Sequence, residues 1–458
     1  MTNYLRAVFF HSKKRCTKVN DYGIILLVVV TVIGAGLAGS EAALQLAKRG
    51  INVKLIDIKP KKMTPAHSSK AFGELICSNS LKSTDISTAS GLLKAELDIL
   101  GCRLLDIAKS CTVAAGAALA VDRRKFEDSV TTAIKSEKLI KAECSEVEDF
   151  DGLGDYTIIA TGPLTTGKLA DSISERLGGG LYFFDAAAPI VSYESIDLSK
   201  TFVADRYGKG DGTGGDYINC PLTKDEYYTF VDEVIAAKTA PLKSFEDIKT
   251  FGGCQPVEFI AKGGRDSLRY GPMRPVGLRL LDGTRPYAVL QLRRENANGT
   301  MYNLVGFQTN LTFAEQKRVF GIIPALKNAE YHRYGVMHRN TYINAPTSIN
   351  SRFECINYPT VYVAGQLSGV EGYVESIASG LIASLDIIGK VNGKLPLKLP
   401  QTTMLGSLTD YITRPNNNFQ PMNANFGLLP MIDIRKKDER KRAFAERAIK
   451  DLKLKIEK

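Results

Sequence analysis

The chain has 458 residues, 44% hydrophobic and 24% charged, the balance of an ordinary folded protein with room for two domains. Sixty Lys and Arg stand against 49 Asp and Glu, a surplus of +11 that suits a polyanion such as RNA, although a merely basic surface gives the same count. The eight cysteines (16, 77, 102, 111, 144, 220, 254 and 355) form no CxxC pair and no regular spacing, which argues against a disulfide framework or a metal site and for reduced thiols in the cytoplasm.

Near the N-terminus Lys13, Lys14 and Arg15 precede an apolar run, Ile24 to Val30, and then small residues, the outline of a secretory signal. The run is shorter than the roughly 20 apolar residues of a membrane span. Cleavage after it would also remove the glycine motif that follows. Residues 1–22 are therefore read as an extension without a deduced role, Ile25–Ile33 as a buried first strand, and no membrane is expected.

That strand leads into Gly34-Ala35-Gly36-Leu37-Ala38-Gly39, a helix from Ser40 to about Arg49, Gly50, and a second strand Val53–Ile56 ending at Asp57. Glycines at this turn let a pyrophosphate approach the N–H groups of the helix N-terminus, and an acid 23 residues after Gly34 suits a ribose hydroxyl. Two later strands, Tyr156–Gly162 and Thr360–Gln366, end in Ala-Thr-Gly and Ala-Gly-Gln. The second precedes Gly369, Gly372 and a helical stretch Val374–Ile387, and resembles the second flavin-contacting element of the glutathione-reductase-type FAD fold, which brings in Gly365, Gln366 and Gly372 as cofactor contacts. Ordinary buried parallel strands would also read as apolar runs.

Between these parts the texture changes. Glycine-rich loops at 208–215 and 263–272 alternate with strand-like stretches Ala288–Leu292 and Leu304–Phe307, beside Arg293 and Arg294. The expected architecture is α/β: an FAD-binding Rossmann-like domain in two parts, 23–190 and 335–434, with an inserted α+β domain at 191–334 and a basic C-terminal helix at 435–458. In that helix Phe444, Ala448, Leu452 and Ile456 fall four apart, and eleven basic residues face five acidic ones. Contact with RNA phosphates and a solvated face of i,i+4 pairs both explain such a helix.

From about Val30 onward the chain resembles the folate- and FAD-dependent tRNA (uracil-5-)-methyltransferase family. The resemblance is carried by Val32–Glu41, Lys62-Met-Thr-Pro-Ala-His67, Glu74-Leu-Ile-Cys-Ser-Asn-Ser80, Ala118–Arg123, Gly253-Cys-Gln-Pro-Val-Glu258, Gly271–Leu278, Val305-Gly-Phe-Gln-Thr309, Tyr334–Thr341 and Ala364–Tyr373. Departures include Asp57 where the family usually has Glu, and Gly253 and Gln255 around the cysteine.

The resemblance implies transfer of a methylene from 5,10-methylenetetrahydrofolate to uridine C5 by way of reduced FAD, with NADPH or NADH restoring the electrons. The RNA is a tRNA, with the T-loop uridine first; a ribosomal RNA uridine or FAD-dependent wobble-uridine modification are the alternatives. Uracil C5 is a poor nucleophile until a thiolate adds to C6, so such an enzyme needs an activated cysteine. By resemblance Cys254 matches the uracil-attacking cysteine and Cys77 a second cysteine near the flavin. Cys254 follows two glycines, with Arg265 and Arg269 downstream, and Cys77 lies in a polar run near Lys82. Cys102, Cys111, Cys144 and Cys355 read as small buried hydrophobes. His338 is a candidate to face flavin or pterin, and a core histidine satisfies the same pattern.

Overall fold

The computed structural model describes residues 18–20, 23–25, 28–64, 67–178, 181–208, 215–241, 255–396, 398–417 and 419–457, with 18–20, 23–25, 181, 183–185, 338 and 339 by backbone alone. Five parallel strands form its first layer, in the order Val361–Val363, Tyr156–Ile159, Val29–Ile33, Asn52–Asp57 and Ile140–Cys144. Val30 to Ile33 are buried, so this strand reads as an apolar run because both its faces are covered. The strand begins at Val29 rather than Ile25. Ile25 pairs instead with Lys18 in a small antiparallel ribbon, a boundary that an unbroken apolar run cannot reveal. The chain leaves Val29–Ile33 for a helix and a neighbour on one side, while Tyr156–Ile159 lies on the other. That makes the C-terminal end of the central strand the point where the two halves of the sheet diverge, the usual crevice for a ligand.

A second layer is a six-stranded antiparallel sheet ordered Phe202–Val203, Tyr217–Leu222, Ala288–Arg294, Met301–Leu304, Ile190–Ser192 and Tyr331–Arg333. Its core centres on Phe230, Phe307 and Phe320, with ring centroids of Phe307 and Phe320 5.4 Å apart. The strand expected at Leu304–Phe307 ends at Leu304. Gly306, with φ +78°, turns the chain so that Phe307 enters this core. A two-stranded ribbon, Leu181–Ala186 with Met337–Tyr342, links the layers.

Buried carboxylates cap helices they do not belong to. Glu41 accepts the N–H groups of Arg103 and Leu104 at 3.0 and 2.8 Å, and Glu96 those of Met404 and Leu405 at 2.7 and 2.8 Å. Each satisfies amides that a helix start leaves without partners. The C-terminal helix spans Lys437–Ile456 and buries Phe444, Ala448 and Leu452, while Ile456 stays 44% exposed, so three of the four expected positions dock. Among the described residues no helix is long and apolar enough to cross a membrane, and no His, Cys, Asp or Glu cluster is arranged to hold a metal ion.

Burial raises the Glu96 pKa from 4.5 to about 8 against the pull of its two N–H donors. The folded state therefore keeps a proton that the unfolded chain loses above about 4.5, and Glu96 contributes a stability that falls as pH rises through this window. Thermal denaturation should show a melting temperature declining between about pH 5 and 8, and Glu96→Ala should melt lower at pH 5 with a shallower decline. An identical slope in the two proteins would remove Glu96 from this account.

Candidate active site

The glycine loop shows what each of its residues is for. Gly34 has φ +99°, and a Cβ there would lie 2.4 Å from the Ala160 carbonyl oxygen; a Cβ at Gly39 would lie 1.8 Å from the Gly34 carbonyl oxygen. Both glycines are needed by the protein itself. Gly36 differs. Its φ of −72° and ψ of −164° suit any residue, and a Cβ would meet no protein atom within 4 Å. What needs its bareness is a group outside the protein, lying against the start of the Leu37–Lys48 helix, whose N-terminus has no side-chain cap. The loop thus fits a dinucleotide pyrophosphate.

Asp57 holds this loop in place. Its carboxylate accepts the Ala35 N–H at 2.6 Å through one oxygen and the Lys59 N–H at 2.8 Å through the other, so the acid expected to bind a ribose is tied to the turn by one oxygen and to its own loop by the second. One further lone pair on each oxygen is left for a hydroxyl.

Gly34, Gly36, Leu37, Ala38 and Asp57 line a cavity of about 1190 Å³ that also takes in Gly365, Gln366 and Gly372. Ala35, behind the loop, is fully buried and Gly39 is in the helix core. A second helix, Tyr373–Val391, starts at this cavity, again without a side-chain cap. The far wall comes from the antiparallel layer, through Arg293 and Gln308. The site therefore lies where the two layers meet, and the nucleotide loop and Cys77 share it.

Cys77 is half-buried, its Sγ 3.9 Å from the Ala186 carbonyl oxygen, in a segment gripped from both layers. The Tyr373 hydroxyl accepts the N–H groups of Cys77 and Ser78 at 2.6 and 3.0 Å. Arg333 donates to the carbonyls of Ile76 and Cys77 at 2.9 and 3.0 Å; Arg123 donates to those of Leu75 and Cys77. Arg293 reaches the Ser78 hydroxyl at 2.8 Å and Asn79 at 3.0 Å. Burial pulls Arg123 down, but its ion pair with Glu295 outweighs this and leaves its pKa above the usual value. Arg333 is lowered by burial and by the nearby Arg123. Burial pushes the Tyr373 phenol well up.

Nothing in the sequence joins Arg123, Arg293 or Arg333 to Cys77, whose basic neighbour in the chain is Lys82. Lys82 pairs instead with Glu375, 3.7 Å away. Arg265 lies over Tyr228 and pairs with Asp232, and Arg269 lies over Tyr287, so both serve a tyrosine cluster of the second layer. Cys102, Cys111 and Cys355 are buried as expected, and Cys144 is half-buried. The Cys254 residue and the His338 side chain lie outside the described residues.

Among the described side chains, His67 is the histidine that lines the cavity. Its Nδ1 accepts the Thr64 N–H at 3.2 Å, which places the proton of a neutral ring on Nε2, and burial with the Lys59 charge lowers its pKa. The loop that carries it is shaped by a buried ion pair, Lys59 with Glu74 at 3.1 Å.

Comparison with known proteins adds a family. The model described as glucose inhibited division protein A matches residues 29–395. The methylenetetrahydrofolate–tRNA-(uracil-5-)-methyltransferases TrmFO of Acetivibrio thermocellus and of Staphylococcus aureus (strain JH9) are each 50% identical over 431 residues, 93% of this chain and 98% of theirs. This chain belongs to the methylenetetrahydrofolate–tRNA-(uracil-5-)-methyltransferase family. Its fold extends further: GidA of Aquifex aeolicus superposes with TM-scores of 0.68 and 0.65 in two crystal forms, at 17% and 15% identity. The form I comparison covers 94% of this chain and 78% of that one.

Replacing Tyr373 by Phe removes the acceptor of two amides at once. Leaving buried donors unsatisfied costs about 1–3 kcal/mol each, so Tyr373→Phe should lose roughly 2 kcal/mol or more in urea denaturation. Tyr411→Phe, whose hydroxyl makes only an exposed 3.5 Å contact, should change little. Equal losses in the two variants would contradict the clamp.

Proposed function

We propose that this protein methylates C5 of a uridine in tRNA, the T-loop uridine first, with 5,10-methylenetetrahydrofolate as carbon donor, FAD as bound cofactor and NADPH or NADH as reductant. The observation that carries this reading is 50% identity along nearly the whole length of relatives named for that reaction. When bound, FAD supplies the electrons and relays the folate methylene to uracil.

The protein's own part begins with the Gly34–Gly39 loop, whose amides and helix N-terminus hold the cofactor pyrophosphate. Gly365, Gln366 and Gly372, at the start of the Tyr373–Val391 helix, hold its other half. Cys254 acts as the nucleophile. Its thiolate adds to uracil C6 and makes C5 enolate-like, C5 takes the methylene and gives up its proton, and the thiolate leaves as a hydride equivalent drawn from the nicotinamide reductant turns the methylene into a methyl. The stretch 242–254 supports this role through its flanks. On one side the Ala240 N–H donates to the Asn310 carbonyl at 2.7 Å; on the other the Val257 N–H donates to the Gln308 carbonyl at 2.7 Å. Both flanks are pinned to one short run whose Gln308 lines the cavity. Cys77 serves the flavin side, in a segment held by two guanidiniums, surroundings that favour a thiolate.

Incubation with unmodified tRNA, methylenetetrahydrofolate and NADPH should yield 5-methyluridine at the T-loop position by mass spectrometry. Product only in ribosomal RNA would redirect the reading to that substrate, and no product in either RNA would overturn it. RNA carrying 5-fluorouridine should trap a covalent adduct with the wild type and none with Cys254→Ala. Cys77→Ala should lose methylation and alter the flavin spectrum more than Cys254→Ala does. If the adduct vanished in Cys77→Ala alone, the two roles would be exchanged.

The cofactor has its own test. Gly36→Val should purify colourless yet melt with the flavin-stripped wild type, because the added side chain fills only the cofactor's space. Retention of stoichiometric flavin would falsify the pyrophosphate placement.

A further inference from the structure

Three aromatic rings form a parallel ladder on the antiparallel layer. Phe313 and Tyr334 have centroids 4.6 Å apart at 14°, and Tyr334 and Tyr331 4.8 Å apart at 9°. Phe313, the outermost, is 54% exposed, whereas the two tyrosines are half-buried. A ring stacked on one face and open on the other is the shape that receives another flat ring.

The ladder is built rigidly. Thr312 caps the Phe313–Phe320 helix through the Glu315 N–H, which makes Phe313 its first residue. Gln316, fully buried, donates to the carbonyls of Leu311 and Gly335 at 2.7 and 2.8 Å and accepts the Gly335 N–H at 2.8 Å. One side chain thus locks the segment bearing Phe313 to the segment bearing Tyr331 and Tyr334. Gly335 allows this closeness, since a Cβ there would lie 2.6 Å from the Thr309 methyl. A ring fixed in this way stacks at little conformational cost.

Its position is what suggests an occupant. Phe313 directly follows Gln308–Thr312, the run to which both flanks of the stretch carrying Cys254 are pinned, and the Thr312 N–H itself donates to the Lys238 carbonyl. The middle rung, Tyr334, lies three residues before Met337, which lines the cavity. The ladder therefore adjoins the run that holds the described flanks, Lys238–Ala240 and Val257, on either side of the stretch assigned to uracil in the reading above. A nucleotide drawn out of folded RNA loses its stacking partners, and its neighbours need flat surfaces in their place. The chain's +11 charge favours the same polyanion.

We propose that the exposed face of Phe313 is a stacking platform for a base of the substrate RNA flanking the target uridine. The inference rests on the RNA-methylating reading and extends it to a contact outside the cofactor cavity. Base–aromatic stacking predicts that Phe313→Ala weakens RNA binding about tenfold to a hundredfold and raises KM for RNA more than it lowers kcat. Flavin content and melting temperature should stay at wild-type values, and Phe313→Trp should restore affinity. RNA with 2-aminopurine beside the target uridine should be quenched on binding to the wild type and less so with Phe313→Ala. Wild-type affinity and quenching in Phe313→Ala, or failure of Trp to rescue a loss, overturn the platform. Binding and quenching are read without turnover, so a wild type that binds RNA but does not methylate it counts against the function alone.

Discussion

Arg123 opens a helix of the parallel-sheet layer, Glu295 follows the last residue of a strand of the antiparallel layer, and the 2.8 Å contact between them crosses the seam on which the cavity is built. Glu295 is almost fully buried there. Taking two charges out of water costs as much as their attraction returns, so such a pair adds little net stability, yet removing one partner alone costs about 3–5 kcal/mol. Its consequence is positional. With Arg123 fixed by Glu295, its remaining donors meet the carbonyls of Leu75 and Cys77, and the segment between the layers takes one course.

The same logic runs along the rest of the cavity wall. Arg333, Arg293 and Lys59 each spend donors on backbone or side-chain oxygens of residues 69–79, and Asp57 spends one oxygen on the glycine turn and the other on the Lys59 amide. Charged side chains that usually stay in solvent are used here as scaffolding. They leave positive potential around Cys77, while two helix starts without side-chain caps add their own at the cofactor side.

Local signals in the chain are legible where local physics sets the outcome. The turn at Gly34–Gly39 and the strands on either side of it depend on residues within one βαβ unit. The first strand was set four residues early because hydropathy marks burial and not hydrogen bonding: Ile25 and Val29 look alike until their partners are known. Phe307 looked like a strand residue because a turn glycine and a strand glycine are identical in sequence. For the C-terminal helix the four-residue period gave the docked face correctly for three turns, and only packing against the body decided that Ile456 lies beyond its edge.

Sequence alone determined the class of the molecule: a two-part nucleotide-binding sheet with an insertion, a basic surplus, and the family that its motifs spell. Those features follow from chain-local geometry and composition. Tertiary structure alone decided which charges surround Cys77, since Arg123, Arg293 and Arg333 come from positions 46, 216 and 256 residues away, and no spacing rule joins them to it. It decided likewise that Gly36 is bare for a ligand whereas Gly34 and Gly39 are bare for the protein, because the difference is the empty volume beside one Cα, and volume belongs to the folded chain.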